Sequence, residues 1–213
     1  MTALPAVRHR SIVLVRLGGL FLLLGSLDAW TVLIVYGISR TTVDPAGSEF
    51  GPSFDLALLA IALSAFWRVF AVIGFIFLWL WRARAVWNLP FLAVALGFGL
   101  IAVQSLTNEP IRDLLAYIAF TLLALGGVFG ALFLVRKRPL GLAACFILAL
   151  FLLTQAVTAV LSFGLVGSPD ETSISYGPSL WLGWCLALPA IALLQWSRRR
   201  GTSAAGEEIR SAT

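Results

Sequence analysis

Histidine, methionine and lysine each occur once in this chain of 213 residues, at His9, Met1 and Lys137, and cysteine occurs twice. A single histidine leaves no partner for bis-histidine haem ligation, for a Ser-His nucleophile pair or for a histidine metal site. The two thiols, Cys145 and Cys185, fall at different heights of the helices that the sequence predicts. Their separation is about 15 Å in depth at 1.5 Å per residue, so neither a disulfide nor a thiol redox couple is expected. Charge is just as scarce, with 12% of residues Asp, Glu, Lys or Arg against 60% hydrophobic, and the mean hydropathy is +0.97. A water-soluble globule is excluded by that composition.

The apolar residues are gathered into long runs. A hydrocarbon layer about 30 Å thick needs about 20 helical residues, because only a helix or a closed barrel satisfies its own backbone groups without water. The runs are too long and too continuous for barrel strands. Joining those broken by a single charge gives six spans, at 12–37, 56–80, 88–107, 113–135, 140–166 and 178–197. The expected fold is therefore all-α, a polytopic bundle of six transmembrane helices in one domain over 1–200, followed by a flexible tail at 201–213. Arg16 interrupts the first apolar stretch, which continues through Val35 without a small-x-small cleavage site, so it reads as a span and not as a removed signal peptide.

The placement of the bases sets an orientation. Arg8, Arg10 and Arg16 precede or open the first span; Arg82 and Arg84 lie between the second and third; Arg136, Lys137 and Arg138 between the fourth and fifth; Arg198, Arg199, Arg200 and Arg210 after the sixth. The alternate connections carry Asp44, Glu49, Asp55, Glu109, Asp113, Asp170 and Glu171 against Arg40 and Arg112. Basic segments resist translocation, so the termini are expected in the cytoplasm and the acidic connections outside. The net charge of +5 is then a topology signal and no nucleic-acid partner is expected. Fourteen arginines to one lysine, with much Ala, Leu and Gly, resemble a GC-rich bacterial coding bias, which suggests a bacterial inner membrane.

Small residues mark where helices approach: Gly18 and Gly25 in the first span, Gly126 and Gly130 in the fourth, and Ser179, Gly183, Ala187 and Ala190 in the sixth. By sequence alone they serve contacts within the chain or with a second copy equally well. Trp79, Trp81, Trp87 and Trp196 stand next to the basic segments as an interfacial belt.

Two ionisable residues lie well inside the spans. Asp28 falls about 6 Å from the middle of the first and Arg68 near the middle of the second, at 1.5 Å per residue. A charge at that depth costs at least about 2.5 kcal/mol on insertion scales, so the two either pin neighbouring helices together or face an aqueous cavity. Other polar residues fall on single helical faces: Thr154, Thr158 and Ser162 with Gln155 alongside, Asp113, Tyr117 and Thr121, and Ser64 four before Arg68. Together with Gln104 they occupy the outer half of the expected bundle, while the inner half holds little beyond Arg16, Asn88, Cys145 and Gln195.

A pocket open to the outside is the inference, lined by Asp28, Arg68, Gln104, Tyr117, Thr121, Gln155 and Thr158. It would bind or transport a small or lipid-like molecule. The alternative is a non-catalytic accessory or assembly subunit of a larger membrane complex, or a homo-oligomer, in which the same faces are packing surfaces. The direction of those faces separates the two readings. Only one acid is deep, so the paired carboxylates of a membrane aspartyl protease are missing, a non-enzymatic role is favoured, and no metal or cofactor is expected. Membrane lipids are the surroundings common to both readings.

Overall fold

The long apolar runs become helices wherever the structure describes them. The computed structural model describes residues 5–42, 51–81, 86–104, 106–163 and 186–199. Of these, 92% are helical and none is in a strand. Among the described residues the first five long helices are α1 Pro5–Thr41, α2 Pro52–Leu80, α3 Leu89–Gln104, α4 Ile111–Lys137 and α5 Leu142–Ser162. Residues 186–199 form a sixth helical stretch, α6. Among the described residues five segments, Ser11–Ser39, Pro52–Leu80, Val86–Gln104, Ile111–Lys137 and Leu142–Ser162, are long and apolar enough to cross a membrane. The tail at 201–213 and most of the connection from the fifth helix to the sixth, including Ser179, Gly183 and Cys185, lie outside the described residues.

Helix ends follow local chemistry. Proline opens α1 and α2 and is the second residue of α3, where its fixed φ fits the first turn and its missing N–H leaves no bond unmade. Arg138 ends α4 in the left-handed region (φ 43°), its N–H donating to the Leu134 carbonyl at 3.0 Å. Three residues later Gly141 has φ +79°, and a Cβ there would stand 2.8 Å from Cδ1 of Trp196. Both the dihedral and the space require glycine. In the same turn the Leu140 N–H donates to Sγ of Cys145 at 3.4 Å. That contact occupies the thiol structurally.

The packing is inside-out by soluble standards. Many buried positions are small, among them Ala29, Ala60, Ala71, Ala95, Ala119, Ala149 and Ala159, while Leu27, Ile34, Leu58, Phe66, Leu96, Leu132 and Phe146 are exposed. Small residues let backbones approach, while large apolar side chains divide between the core, where Phe75, Phe91 and Phe98 are buried, and the perimeter. Helices α1 and α2 pack antiparallel, Gly18 against Gly74 and Leu78, and Gly25 against Trp67 and Ala71. On α4, Gly126 abuts the Pro90 carbonyl of α3, Gly127 the Leu152 carbonyl of α5, and Gly130 the Leu152 side chain. Ala190 of α6 meets Gly19 of α1. The glycine faces of α1 and α4 that the sequence left open between internal and intermolecular use thus make internal contacts. Phe75 of α2 stacks on Phe98 of α3 at 6.1 Å and on Phe151 of α5 at 6.0 Å, which joins three helices at the centre.

Candidate ligand-binding site

The polar side chains divide by their partners. At the end of the bundle where α2, α4 and α6 finish, they close helix termini. Asn88 is fully buried and donates from Nδ2 to the carbonyls of Leu78 and Trp79, both at 3.3 Å, satisfying the last turn of α2. Arg16 reaches from α1 to α6, donating to Oγ of Ser197 at 3.3 Å and to its carbonyl at 3.2 Å. A guanidinium at a helix C-terminus also meets the negative end of the macrodipole. Trp81 packs edge-on to Trp196 at 6.3 Å.

Polar groups in the opposite half are placed differently. Asp28 is half-buried on α1 and its carboxylate lies against the Trp67 main chain. Trp67 and Arg68 are buried on α2, with the Arg68 guanidinium carbon 5.4 Å from the Trp67 ring centroid. The Trp67 ring meets Phe98 of α3 edge-on at 6.0 Å. Gln104 follows Phe98 by six residues, about 9 Å along the helix. Gln155 is buried one turn beyond Phe151 on α5. Asp28 Oδ2, Trp67 Nε1 and Gln104 Oε1 are buried and have no hydrogen-bond partner among the described residues, as is also true of Asn88 Oδ1 at the opposite end. Asp28 and Arg68 sit on facing helices; the ion pairs seen between described residues include Arg112 with Glu109 and Arg112 with Asp113 at 3.7 Å.

Three of the seven expected site residues need separate mention. Tyr117 is 44% exposed and stacks on Phe163 at 6.1 Å. Thr121 is exposed on the same face of α4 and returns its hydroxyl proton to the Tyr117 carbonyl at 2.8 Å. Both share that face with the exposed residues Leu114, Ile118 and Leu125, away from Asp28. Thr158 is half-buried and bonds back to the Thr154 carbonyl at 2.9 Å. Thr154 is exposed, whereas Ser162 is buried, and both bond to the carbonyl four residues earlier. A threonine or serine hydroxyl so engaged needs no partner from another helix.

Asp28, Arg68, Gln104 and Gln155 therefore turn into the bundle, with Thr158 at its margin, and Tyr117 and Thr121 lie on its perimeter. Trp67 joins the interior set. Its position beside Arg68 was visible in the sequence, but its inward direction was not. Asp28 accepts, the indole donates and Gln104 carries both functions. Among the described residues, no three His, Cys, Asp or Glu gather to hold a metal ion. Comparison with protein-family models, curated proteins and solved structures finds no match to this chain.

Proposed function

We propose that this is a six-span membrane protein, basic side in the cytoplasm, that binds or carries a small or lipid-like molecule in its outer half, between Asp28, Trp67, Arg68, Gln104 and Gln155. The exposed Leu, Ile, Val and Phe perimeter supports membrane placement, since a surface of that extent has no stable solution in water. The alternation of basic and acidic connections supports the orientation. The ligand site rests on one observation: Asp28 Oδ2, Trp67 Nε1 and Gln104 Oε1, on three neighbouring helices, are buried without a partner among the described residues. Buried polar atoms are nearly always satisfied, so water or a ligand would account for these three.

The second reading, an accessory subunit, draws on Tyr117, Thr121 and Thr154, whose polar groups lie on the exposed faces of α4 and α5. Native mass spectrometry in mild detergent separates the two. A small-molecule adduct lost in Asp28→Asn or Gln104→Leu supports the binding site; a retained second protein and no adduct assigns the protein to assembly. Single cysteines in a background lacking Cys145 and Cys185 give an independent test. An impermeant thiol reagent added from outside should label position 104 or 158 and spare 121, and protection of both 104 and 158 in folded protein would overturn the binding site.

A further inference from the structure

Between α3 and α4 an open groove of about 560 Å³ runs along the perimeter, and its lining shares no residue with Asp28, Trp67, Arg68, Gln104 and Gln155. Its bed is apolar, with Pro90 and Ala93 on one side and Leu125 and Phe129 on the other, and Gly126 supplies the floor because it has no side chain. The lining on α4 extends from Leu122 to Lys137, about 22 Å at 1.5 Å per residue. One leaflet of a hydrocarbon layer about 30 Å thick measures about 15 Å. The groove is therefore long enough to hold an acyl chain over the depth of a leaflet.

Charge is confined to one end. Arg136 and Lys137 line the mouth, and no acidic side chain is among the described residues that line the groove. Both cations are exposed, as is Arg138 next to them. The Lys137 ammonium stands 6.0 Å from the centroid of the Trp87 ring, and Trp87, 61% exposed, also lines the groove. An aromatic at the interface with two cations above an apolar channel presents phosphate-binding and chain-binding surfaces in the order in which a phospholipid carries them.

We propose that this groove is a site for one anionic phospholipid of the cytoplasmic leaflet, its phosphate on Arg136 and Lys137 and one acyl chain along Ala93, Leu125 and Phe129. The site rests on the membrane placement above and is independent of the ligand cluster around Asp28. An anionic headgroup gains the attraction of both cations, and a zwitterionic one brings its own cation to the same place. Selectivity for the anionic lipid follows.

The test uses delipidated full-length protein in mild detergent with equimolar phosphatidylglycerol and phosphatidylcholine of identical chains, read by native mass spectrometry. The wild type should retain phosphatidylglycerol at least about tenfold over phosphatidylcholine. Arg136→Gln with Lys137→Gln should bring the two to parity, while Ala93→Phe, which keeps both charges and fills the bed, should reduce both adducts together. Equal retention by the wild type, undiminished selectivity in the double variant, or unchanged binding in Ala93→Phe overturns the proposal, as does a second copy of the chain in place of lipid. A measurement on the wild type needs no charge variant to fold: phosphatidylglycerol with brominated chains should quench more tryptophan fluorescence than its phosphatidylcholine counterpart, and Trp87→Phe should remove the excess. No excess overturns the site. A protein that stays monodisperse without detergent would instead remove the membrane placement on which the site rests.

Discussion

At the basic end of the bundle Asn88 and Arg16 each terminate on named carbonyls and close the ends of α2 and α6; in the opposite half Asp28, Trp67 and Gln104 turn buried atoms toward no partner among the described residues. Both halves are built from the same helices with the same small-residue seams, so differences in helix packing do not account for the contrast. A polar donor that caps a helix adds to stability, as Asn88 Nδ2 does, although Asn88 Oδ1 is itself buried without a partner among the described residues. A polar group that is enclosed without a partner detracts from stability and stays available to a ligand or water. The contrast lies in where the Asn88 and Arg16 donors go, since an unpartnered buried oxygen occurs in both halves.

The largest effect should come from the seam that both halves share. Gly127→Leu drives a side chain against the Leu152 carbonyl, a contact already too close for a Cβ, and should cost about 3 kcal/mol or more of stability. Thermal unfolding in detergent should show loss of the folded fraction; a mild effect would mean that α4 and α5 separate easily and that neither half is firmly framed.

Smaller losses are expected at the basic end. Asn88→Ala uncovers the Leu78 and Trp79 carbonyls, and Arg16→Leu the Ser197 carbonyl, each at about 1–2 kcal/mol in the same assay. Asp28→Asn should behave oppositely. It removes a deep charge, which is costly inside a membrane, so the melting temperature should hold or rise, while any small-molecule adduct disappears. A large fall in stability for Asp28→Asn would place Asp28 with the framework and erase the contrast.

The smallest effects belong to the perimeter. Thr121→Val and Thr154→Val each remove a hydroxyl that bonds to its own helix on an exposed face, and the change should stay within about 0.5 kcal/mol. A marked loss of a co-purifying protein in either variant, with the folded monomer intact, would favour the accessory reading.

Much of the framework was legible in the sequence because hydrophobic length is a one-dimensional property. The long runs sufficed to predict an all-helical chain, and the boundaries of α2, α4 and α5 fall within a few residues of the spans read from charge and apolarity. The site was legible only in part. A spacing of four puts Asp113, Tyr117 and Thr121 on one face of α4 whichever way that face turns, and it turns outward. Asp28 and Arg68 were conspicuous because a charge within an apolar run is rare whatever its neighbours. The α3–α4 groove carried no such signal, since its lining is apolar like most of the chain and its cations read simply as a basic connection.

What the sequence by itself determined is the helical class, the alternation of basic and acidic ends and the half of the bundle in which polar residues collect, because each follows from the composition of consecutive residues. Tertiary structure alone decided that the glycines serve contacts within the chain, that Asn88 and Arg16 close helix ends, that Trp67 and Gln104 turn into the bundle, and that α3 and α4 leave a groove between them. Those outcomes depend on the rotation of each helix about its own axis. Rotation is set by which small faces fit against one another, a property of pairs of helices that no single stretch of sequence contains.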